Sequence, residues 1–221
     1  MISNLHYITQ DVEDVSHQQL AINACEAGID WVQLRVKNKH HHEWVDIAWE
    51  VKKICHQYNV KLIINDNVSV AKIVNADGVH LGKTDADPLE ARKELGENAI
   101  IGGTANTFDD IKTLVDKGVN YIGLGPYRFT STKNNLSPIL GLQGYQEILK
   151  QCKINNITIP IIAIGGIQPE DVKLLINEGV YGIAVSSAIT FSKNSTEIIK
   201  TFKKNFSQSH ANETQSCADK N

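Results

Sequence analysis

Residues 62–85 contain two short apolar runs, and each run is followed closely by an acidic residue. The first run stops at Asn65 and Asp66, and the second, after a segment of helical length, leads to Asp85. Continuous apolar runs of this length are typical of strands covered on both faces, so the segment predicts a strand, a crossover helix and a parallel strand. Parallel strands end at the same edge of their sheet, and both carboxylates are therefore expected there.

Paired carboxylates at such an edge indicate a site for a hard divalent cation such as Mg²⁺, which prefers oxygen ligands. Asp66 has an equally good alternative role, because an aspartate directly before a helix can cap its first turn. This stretch alone leaves both interpretations open.

A helix that ends in glycine and leads into an apolar run is a recurring pattern in the chain. It occurs at Gly28, Gly96, Gly118 and Gly179. Glycine takes up the left-handed conformation that other residues resist, so each copy marks a turn from helix to strand. With the apolar runs, the pattern predicts eight strand–helix units, an α/β fold of the (β/α)₈ TIM-barrel class in a single domain over residues 1–206. The polar residues 207–221 predict a disordered C-terminal tail.

The charge of the chain argues against strongly anionic partners. The 221 residues carry a net charge of −3, so neither nucleic acid nor an anionic membrane is expected to bind, and small molecules are the expected partners. No apolar run approaches the roughly 18 residues of a membrane-spanning helix, and the first residues do not resemble a signal peptide, which predicts a cytoplasmic protein. The cysteines are scattered without a C-x-x-C pair and are interpreted as reduced structural thiols.

The strand predicted at residues 31–36 and the residue that follows it carry polar side chains on one face. Gln33, Arg35 and Lys37 alternate along the chain and therefore share a face in an extended conformation. A solvated edge would explain these charges, but strands of a covered parallel sheet are normally apolar, which favours an anionic ligand. The adjacent histidines 40–42 are interpreted as a solvated loop, because consecutive side chains cannot all converge on one ion.

Three later segments carry groups suited to binding phosphate. Thr104 follows the fifth predicted strand and either contacts a ligand or begins the next helix. Residues 126–141 exceed the usual loop of ~4 to 6 residues, which predicts a lid over the site, with a merely soluble insertion as the alternative. Gly166 and Ser187 follow the seventh and eighth predicted strands, where (β/α)₈ barrels commonly bind phosphate.

Six motifs together resemble one family. They are Q-L-R-x-K from Gln33, I-N-D from Ile64, A-D-G-V-H-L-G-x-x-D from Ala76, G-x-G-P-x-x-x-T-x-T-K from Gly123, A-I-G-G-I from Ala163 and V-S-S-A-I from Val185. They resemble the thiamine-phosphate synthase family over nearly the whole chain and in the order of the predicted strands. The resemblance implies a Mg²⁺-dependent transferase on a (β/α)₈ barrel. Such an enzyme joins hydroxymethylpyrimidine diphosphate to a thiazole phosphate, or its carboxylated form, and releases thiamine phosphate and diphosphate.

The resemblance also implies roles for individual residues, with Asp66 and Asp85 holding Mg²⁺. The residues implied in binding the pyrimidine diphosphate are Gln33, Leu34, Arg35, Val36, Lys37, Asn65, Thr104 and Lys133, of which Arg35, Lys37, Thr104 and Lys133 would act in catalysis. The residues implied in binding the thiazole phosphate are Thr130, Ser131, Thr132, Gly166, Ser186 and Ser187. The chain departs from the family's I-G-x-S-x-H motif, because Thr104 keeps the hydroxyl group but Asn106 replaces the histidine.

Two other functions share this barrel. A thiazole tautomerase would keep the phosphate site and transfer a proton without a metal pair, and a phosphate-ligand sensor would bind without turnover. The two aspartates and the complete threonine–lysine run at residues 130–133 favour the synthase. The sequence gives no indication of oligomeric state.

Overall fold

Eight parallel strands, hydrogen-bonded in sequence order, form a closed barrel in the computed structural model of the protein, so the predicted (β/α)₈ fold is confirmed. The structure describes residues 1–130 and 138–218, with side chains to residue 207. Pairing of β1 with β8, with Leu5 opposite Ile183, closes the barrel. The strands are β1 Leu5–Ile8, β2 Trp31–Leu34, β3 Lys61–Asn65, β4 Gly78–Leu81, β5 Ile100–Ala105, β6 Tyr121–Leu124, β7 Ile161–Ile164 and β8 Gly182–Val185.

Helices follow the strands and cover the outside of the barrel. They are α1 His17–Glu26, α2 His41–Gln57, α3 Val68–Ile73, α4 Pro88–Leu95, α5 Phe108–Asp116, α6 Gly141–Ile154, α7 Asp171–Asn177, α8 Ser187–Thr190 and α9 Ser195–Ala218. Gly28, Gly96, Gly118 and Gly179 all have positive φ angles, between 67° and 100°, which confirms that they end helices in the left-handed region. Among the described residues, no helix combines the length and the apolar character needed to cross a membrane.

Several element boundaries differ from those predicted. β2 ends at Leu34 and not at residue 36, and α2 begins at His41, within the histidines predicted to form a loop. β5 continues to Ala105 because Thr104 and Ala105 pair with β6, so Thr104 lies in the strand and not in the loop beyond it. The last helix, α9, continues to Ala218 and extends beyond residue 206, where the barrel domain is predicted to end. Disorder of the tail stays a prediction. The segment after Phe206 contains neither glycine nor proline, the residues that most strongly end a helix.

The lower part of the barrel interior is filled by aromatic and aliphatic side chains. His6 stacks on Trp31 with ring centroids 4.1 Å apart, and Tyr121 packs edge-on against Trp31. Burial lowers the pKa of His6 to about 3, so its ring is neutral at physiological pH. The apolar members of this layer are Ile8, Trp31, Ile63, Tyr121, Ile162 and Ala184. Polar groups are therefore left to the upper end of the barrel, where the strands end.

Glycine at position 102 makes room for this packing. A Cβ atom there would lie 2.2 Å from Cζ of Tyr121 and 2.6 Å from Nδ1 of His80. We therefore expect Gly102→Ala to lower the free energy of unfolding by about 1–3 kcal/mol, as overpacking commonly does. Urea denaturation measures the loss, and Tyr121→Leu in the same chain should recover part of it because the two changes share one space. Additive losses in the double variant would contradict this explanation.

Candidate active site

Two buried amides meet at the upper ends of β2 and β3. Gln33 Nε2 donates a hydrogen bond of 2.6 Å to Asn65 Oδ1, and each residue is less than a tenth exposed. The side chains of Trp31 and Ile63, two positions earlier on the same strands, fill the barrel interior. Since side chains alternate along a strand, Gln33 and Asn65 lie on that same inner face, one layer above.

The two aspartates predicted at this edge are in contact. The Asp66 and Asp85 carboxyl groups lie close enough for each to shift the pKa of the other. Lys37 Nζ lies 2.5 Å from Asp66 Oδ2, and the Gly82 amide donates a 2.6 Å hydrogen bond to Asp85. The structure therefore brings together the acid pair and one of the cations that the sequence placed on neighbouring strands.

The alternative role of Asp66 as a helix cap is wrong. The cap of α3 is Asn67, whose side chain accepts a 2.9 Å hydrogen bond from the amide of Val70. Asp66 itself has a φ of 67°, in the left-handed region that aspartate tolerates better than most residues, and its amide donates to the carbonyl of His80. This backbone conformation leaves the Asp66 carboxylate for Lys37 and Asp85.

Because Asp66 and Asp85 are close together, their pKa values shift in opposite directions. Burial disfavours ionisation of Asp66, but the hydrogen bond from Lys37 and the interaction with the Asp85 carboxyl group outweigh burial and lower its pKa. Burial raises the pKa of Asp85, and the adjacent Asp66 carboxylate raises it further. Like charges this close favour sharing a proton or binding a cation.

His80 connects the core to the upper layer and is a residue to which the sequence analysis gave no role. Its Nδ1 lies 3.0 Å from the Tyr121 hydroxyl and its Nε2 lies 3.0 Å from Thr104 Oγ1. Complete burial raises the pKa of Tyr121, which therefore keeps its proton and can donate to Nδ1. In the tautomer in which Nδ1 accepts from Tyr121, Nε2–H donates to Thr104 Oγ1. The feature of the sequence that could have identified His80 is that it is a single histidine within an otherwise apolar strand.

Asn106, at the position where the resembled family has histidine, links two loops. Its side-chain amide donates to the Gly125 carbonyl, and its backbone amide donates to Asp110 at 2.9 Å. The residue thus ties the end of β5 to the segment after β6.

The segments after β7 and β8 form the other side of the site. Gly165 and Gly166 have φ angles of 100° and 66°, and a Cβ atom on Gly165 would lie 2.8 Å from Pro126. Ser186 and Ser187 both donate to Gln10 Oε1, at 3.1 and 3.4 Å. Gln10, which follows β1, was missed by the sequence analysis, because a polar residue after a strand is too common to single out.

The remaining predicted residues fall into three groups. Leu34 and Val36 are buried in the core outside the barrel, so only their backbones are left to contact a ligand. Arg35 is half-buried, and its backbone amide donates to Thr9 Oγ1 at 3.1 Å. Thr130 is the last described residue before residues 131–137, and Ser131, Thr132 and Lys133 lie outside the described residues. Closure of the loop at residues 126–141 therefore stays a prediction.

A comparison with known protein families decides the family of the chain. The family model described as thiamine monophosphate synthase matches residues 5–189, from β1 into α8. The chain belongs to this family.

Relatives of this thiamine-phosphate synthase family member are similar over most of their length. The thiamine-phosphate synthase of Flavobacterium psychrophilum is 48% identical over 205 residues, 92% of this chain and 99% of the relative. That of Bacteroides fragilis is 46% identical over 197 residues, 89% and 97% of the two chains. A solved thiamine phosphate pyrophosphorylase from Pyrococcus furiosus has a TM-score of 0.80 at 28% identity, covering 93% of this chain and 96% of its own. As a member of the family, the protein is an enzyme of thiamine biosynthesis and a transferase.

Proposed function

We propose that this enzyme joins hydroxymethylpyrimidine diphosphate to a thiazole phosphate, forming thiamine phosphate and releasing diphosphate. The observation that carries the proposal is the contact between Asp66 and Asp85, with Lys37 paired to Asp66 at 2.5 Å, beside the buried amides of β2 and β3. A tautomerase on this barrel needs only the phosphate site and a proton-transfer group. The acid pair and its lysine therefore support the synthase.

The reaction breaks the bond between the methylene carbon of the pyrimidine and the diphosphate oxygen, and the bonding electrons leave with the diphosphate. The thiazole nitrogen then donates its lone pair to this carbon and forms the new C–N bond. No protein nucleophile is required, and charge aimed in advance at the leaving group is commonly the largest contribution to such catalysis. Lys37 and Arg35 follow β2 at the edge that would receive the diphosphate, and Lys133 would add a third cation.

Thr104 and the two amides would orient the pyrimidine. Gln33 and Asn65 are hydrogen-bonded to each other inside the barrel. Thr104, on β5, is hydrogen-bonded to His80, on β4. Buried groups fixed by neighbours keep a ligand in one orientation, which saves entropy in the reacting complex. Because Gln33, Asn65 and Thr104 lie above the aromatic layer, they would hold the pyrimidine ring between that layer and the diphosphate.

The acid pair fits Mg²⁺, which is commonly bound by one or two carboxylates together with substrate phosphates and water. Two carboxyl groups in contact, one with a raised pKa, are groups that a divalent cation would stabilise in their charged forms. Mg²⁺ held by Asp66 and Asp85 would neutralise charge on the diphosphate. Among the described residues, no cluster of three or more His, Cys, Asp or Glu side chains is arranged to hold a metal ion.

The segments after β7 and β8 would bind the thiazole phosphate. The turn at Gly166 can present backbone amides to an anion, and Gln10 holds the hydroxyls of Ser186 and Ser187 at the same end of the barrel. Anchoring this phosphate would place the thiazole nitrogen against the methylene carbon and supply the required orientation.

Chelation tests the metal. Excess EDTA is expected to lower the rate of diphosphate release by about a hundredfold or more, because the leaving group loses its counter-charge, and added Mg²⁺ should restore the rate. The measurement is diphosphate release with both substrates present, and EDTA already saturated with Mg²⁺ is the control. Full activity in excess EDTA would remove the metal from the proposal, and binding of the two substrates without release would favour the sensor.

A further inference from the structure

The backbone after β6 runs beside the backbone after β7. The Tyr127 amide donates to the Ile164 carbonyl at 2.8 Å, and the Arg128 amide donates to the Gly165 carbonyl at 2.9 Å. These bonds continue the strand pairing beyond the barrel. They bring the first residues of the long loop against the glycine turn.

An ion pair crosses between the same two segments. Arg128 Nη2 donates to Asp171 Oδ1 at 2.6 Å, and Nη1 donates to the other carboxylate oxygen. Such two-point pairing fixes the direction of approach as well as the distance. Arg128 Nη1 also donates to the Gly166 carbonyl at 3.3 Å, so the guanidinium contacts the turn itself.

The two partners have very different exposure. The Asp171 side chain is 2% exposed and that of Arg128 is 48% exposed. Asp171 begins α7 and also accepts a 2.8 Å hydrogen bond from the Gln168 amide, so it belongs to the fixed end of the turn. The Arg128 guanidinium lies 4.8 Å from the ring centroid of Tyr127, which restricts its position further.

The ion pair lies between two parts of the proposed phosphate site. A Cβ atom at Gly166 would be 3.0 Å from Cβ of Arg128 and 3.1 Å from the carbonyl oxygen of Phe129, so the turn packs directly on this segment. Thr130, assigned by the resemblance to the thiazole phosphate, follows one residue later. A change in the position of Arg128 would therefore alter both parts together.

We propose that Arg128 and Asp171 are positioning residues that hold the Gly166 turn and the segment leading to Thr130 in the geometry that binds the thiazole phosphate. This inference rests on the proposed function for the identity of the ligand. It assigns no contact with the reacting atoms to either residue. Arg128 acts through the turn, and Asp171 acts through Arg128.

The test compares Arg128→Gln and Arg128→Lys with the wild-type protein. Arg128→Gln removes both hydrogen bonds to the carboxylate, and we expect the KM and the calorimetric Kd for the thiazole phosphate to rise by about tenfold to a hundredfold. The KM for the pyrimidine diphosphate should change by less than about twofold, because the Gly166 turn and Thr130 are assigned to the thiazole phosphate. Arg128→Lys keeps the charge without the two-point geometry and should give an intermediate value.

Arg92→Gln is the matched control. Arg92 donates to the carbonyls of Gly96 and Glu97, before β5, at the opposite end of the barrel. Its loss should lower the melting temperature and leave both KM values unchanged. If Arg128 has only such a structural role, Arg128→Gln will behave in the same way, and the inference is then overturned.

Calorimetry separates this inference from the proposed function. Wild-type protein that binds the thiazole phosphate but releases no diphosphate would contradict the proposed synthase reaction, and the Kd of Arg128→Gln would still decide the positioning role. A Kd within about twofold of the wild-type value would overturn the role, as would equal increases in KM for both substrates. Absence of thiazole-phosphate binding by the wild-type protein would overturn both.

Discussion

Asp66→Asn and Asp85→Asn are each expected to lower kcat by about a hundredfold or more while the protein stays folded. Each substitution keeps the size of the side chain and removes the negative charge that would hold Mg²⁺ against the diphosphate. Neither carboxyl group belongs to the apolar core, so the melting temperature should change little. Steady-state kinetics at saturating substrate and thermal denaturation measure the two quantities.

Asp77→Asn is the control for this experiment. Asp77 lies just before β4, at the opposite end of the barrel, and pairs with Lys61 at 2.6 Å and Lys52 at 3.2 Å. Its loss should affect stability and leave kcat unchanged in the folded protein. If Asp66→Asn or Asp85→Asn lowered activity only in proportion to the unfolded fraction, the acid pair would have a structural role alone.

Ser187→Asp is expected to raise the KM for the thiazole phosphate by at least about tenfold, because a carboxylate at this position would repel the phosphate. Ser187 begins α8, and its hydroxyl is held by Gln10 at 3.4 Å beside that of Ser186. The phosphate keeps its charge throughout the reaction, so the main effect should be on binding. The KM for the pyrimidine diphosphate should barely change.

Thr158→Asp provides the charge control, since Thr158 is exposed before β7 at the far end of the barrel. It adds the same charge to the protein without adding it to the site. Kinetics in which each substrate is varied in turn distinguish the variants. An unaltered thiazole-phosphate KM in Ser187→Asp would show that the phosphate site lies on other segments.

The order of the elements could be predicted because each signal was local. An apolar run, a glycine in the left-handed region and the next apolar run lie within a few residues of each other, as around Gly179. Adjacent parallel strands then bring their ends together, which is why the contact between Asp66 and Asp85 could also be expected. The substrate and metal roles of these residues stay predictions.

Other features depended on relations that the sequence does not express. Asn65, Asp66 and Asn67 are all polar, and only the backbone angles decide that Asn67 caps α3 and Asp66 turns to the site. His80 gains its neighbours from strands that pair across the closed barrel. Arg128 and Asp171 are 43 residues apart, and their pairing follows from the packing of two loops.

The aromatic layer formed by His6, Trp31 and Tyr121 gives the barrel a floor. These three residues are each no more than 1% exposed, so among the described residues they fill the lower end of the barrel interior. The substrates and products of the proposed reaction would then share one opening, above the strand ends. A product that stays bound there would block the next substrate, and the rate of turnover would then depend on product release as well as on the chemical step.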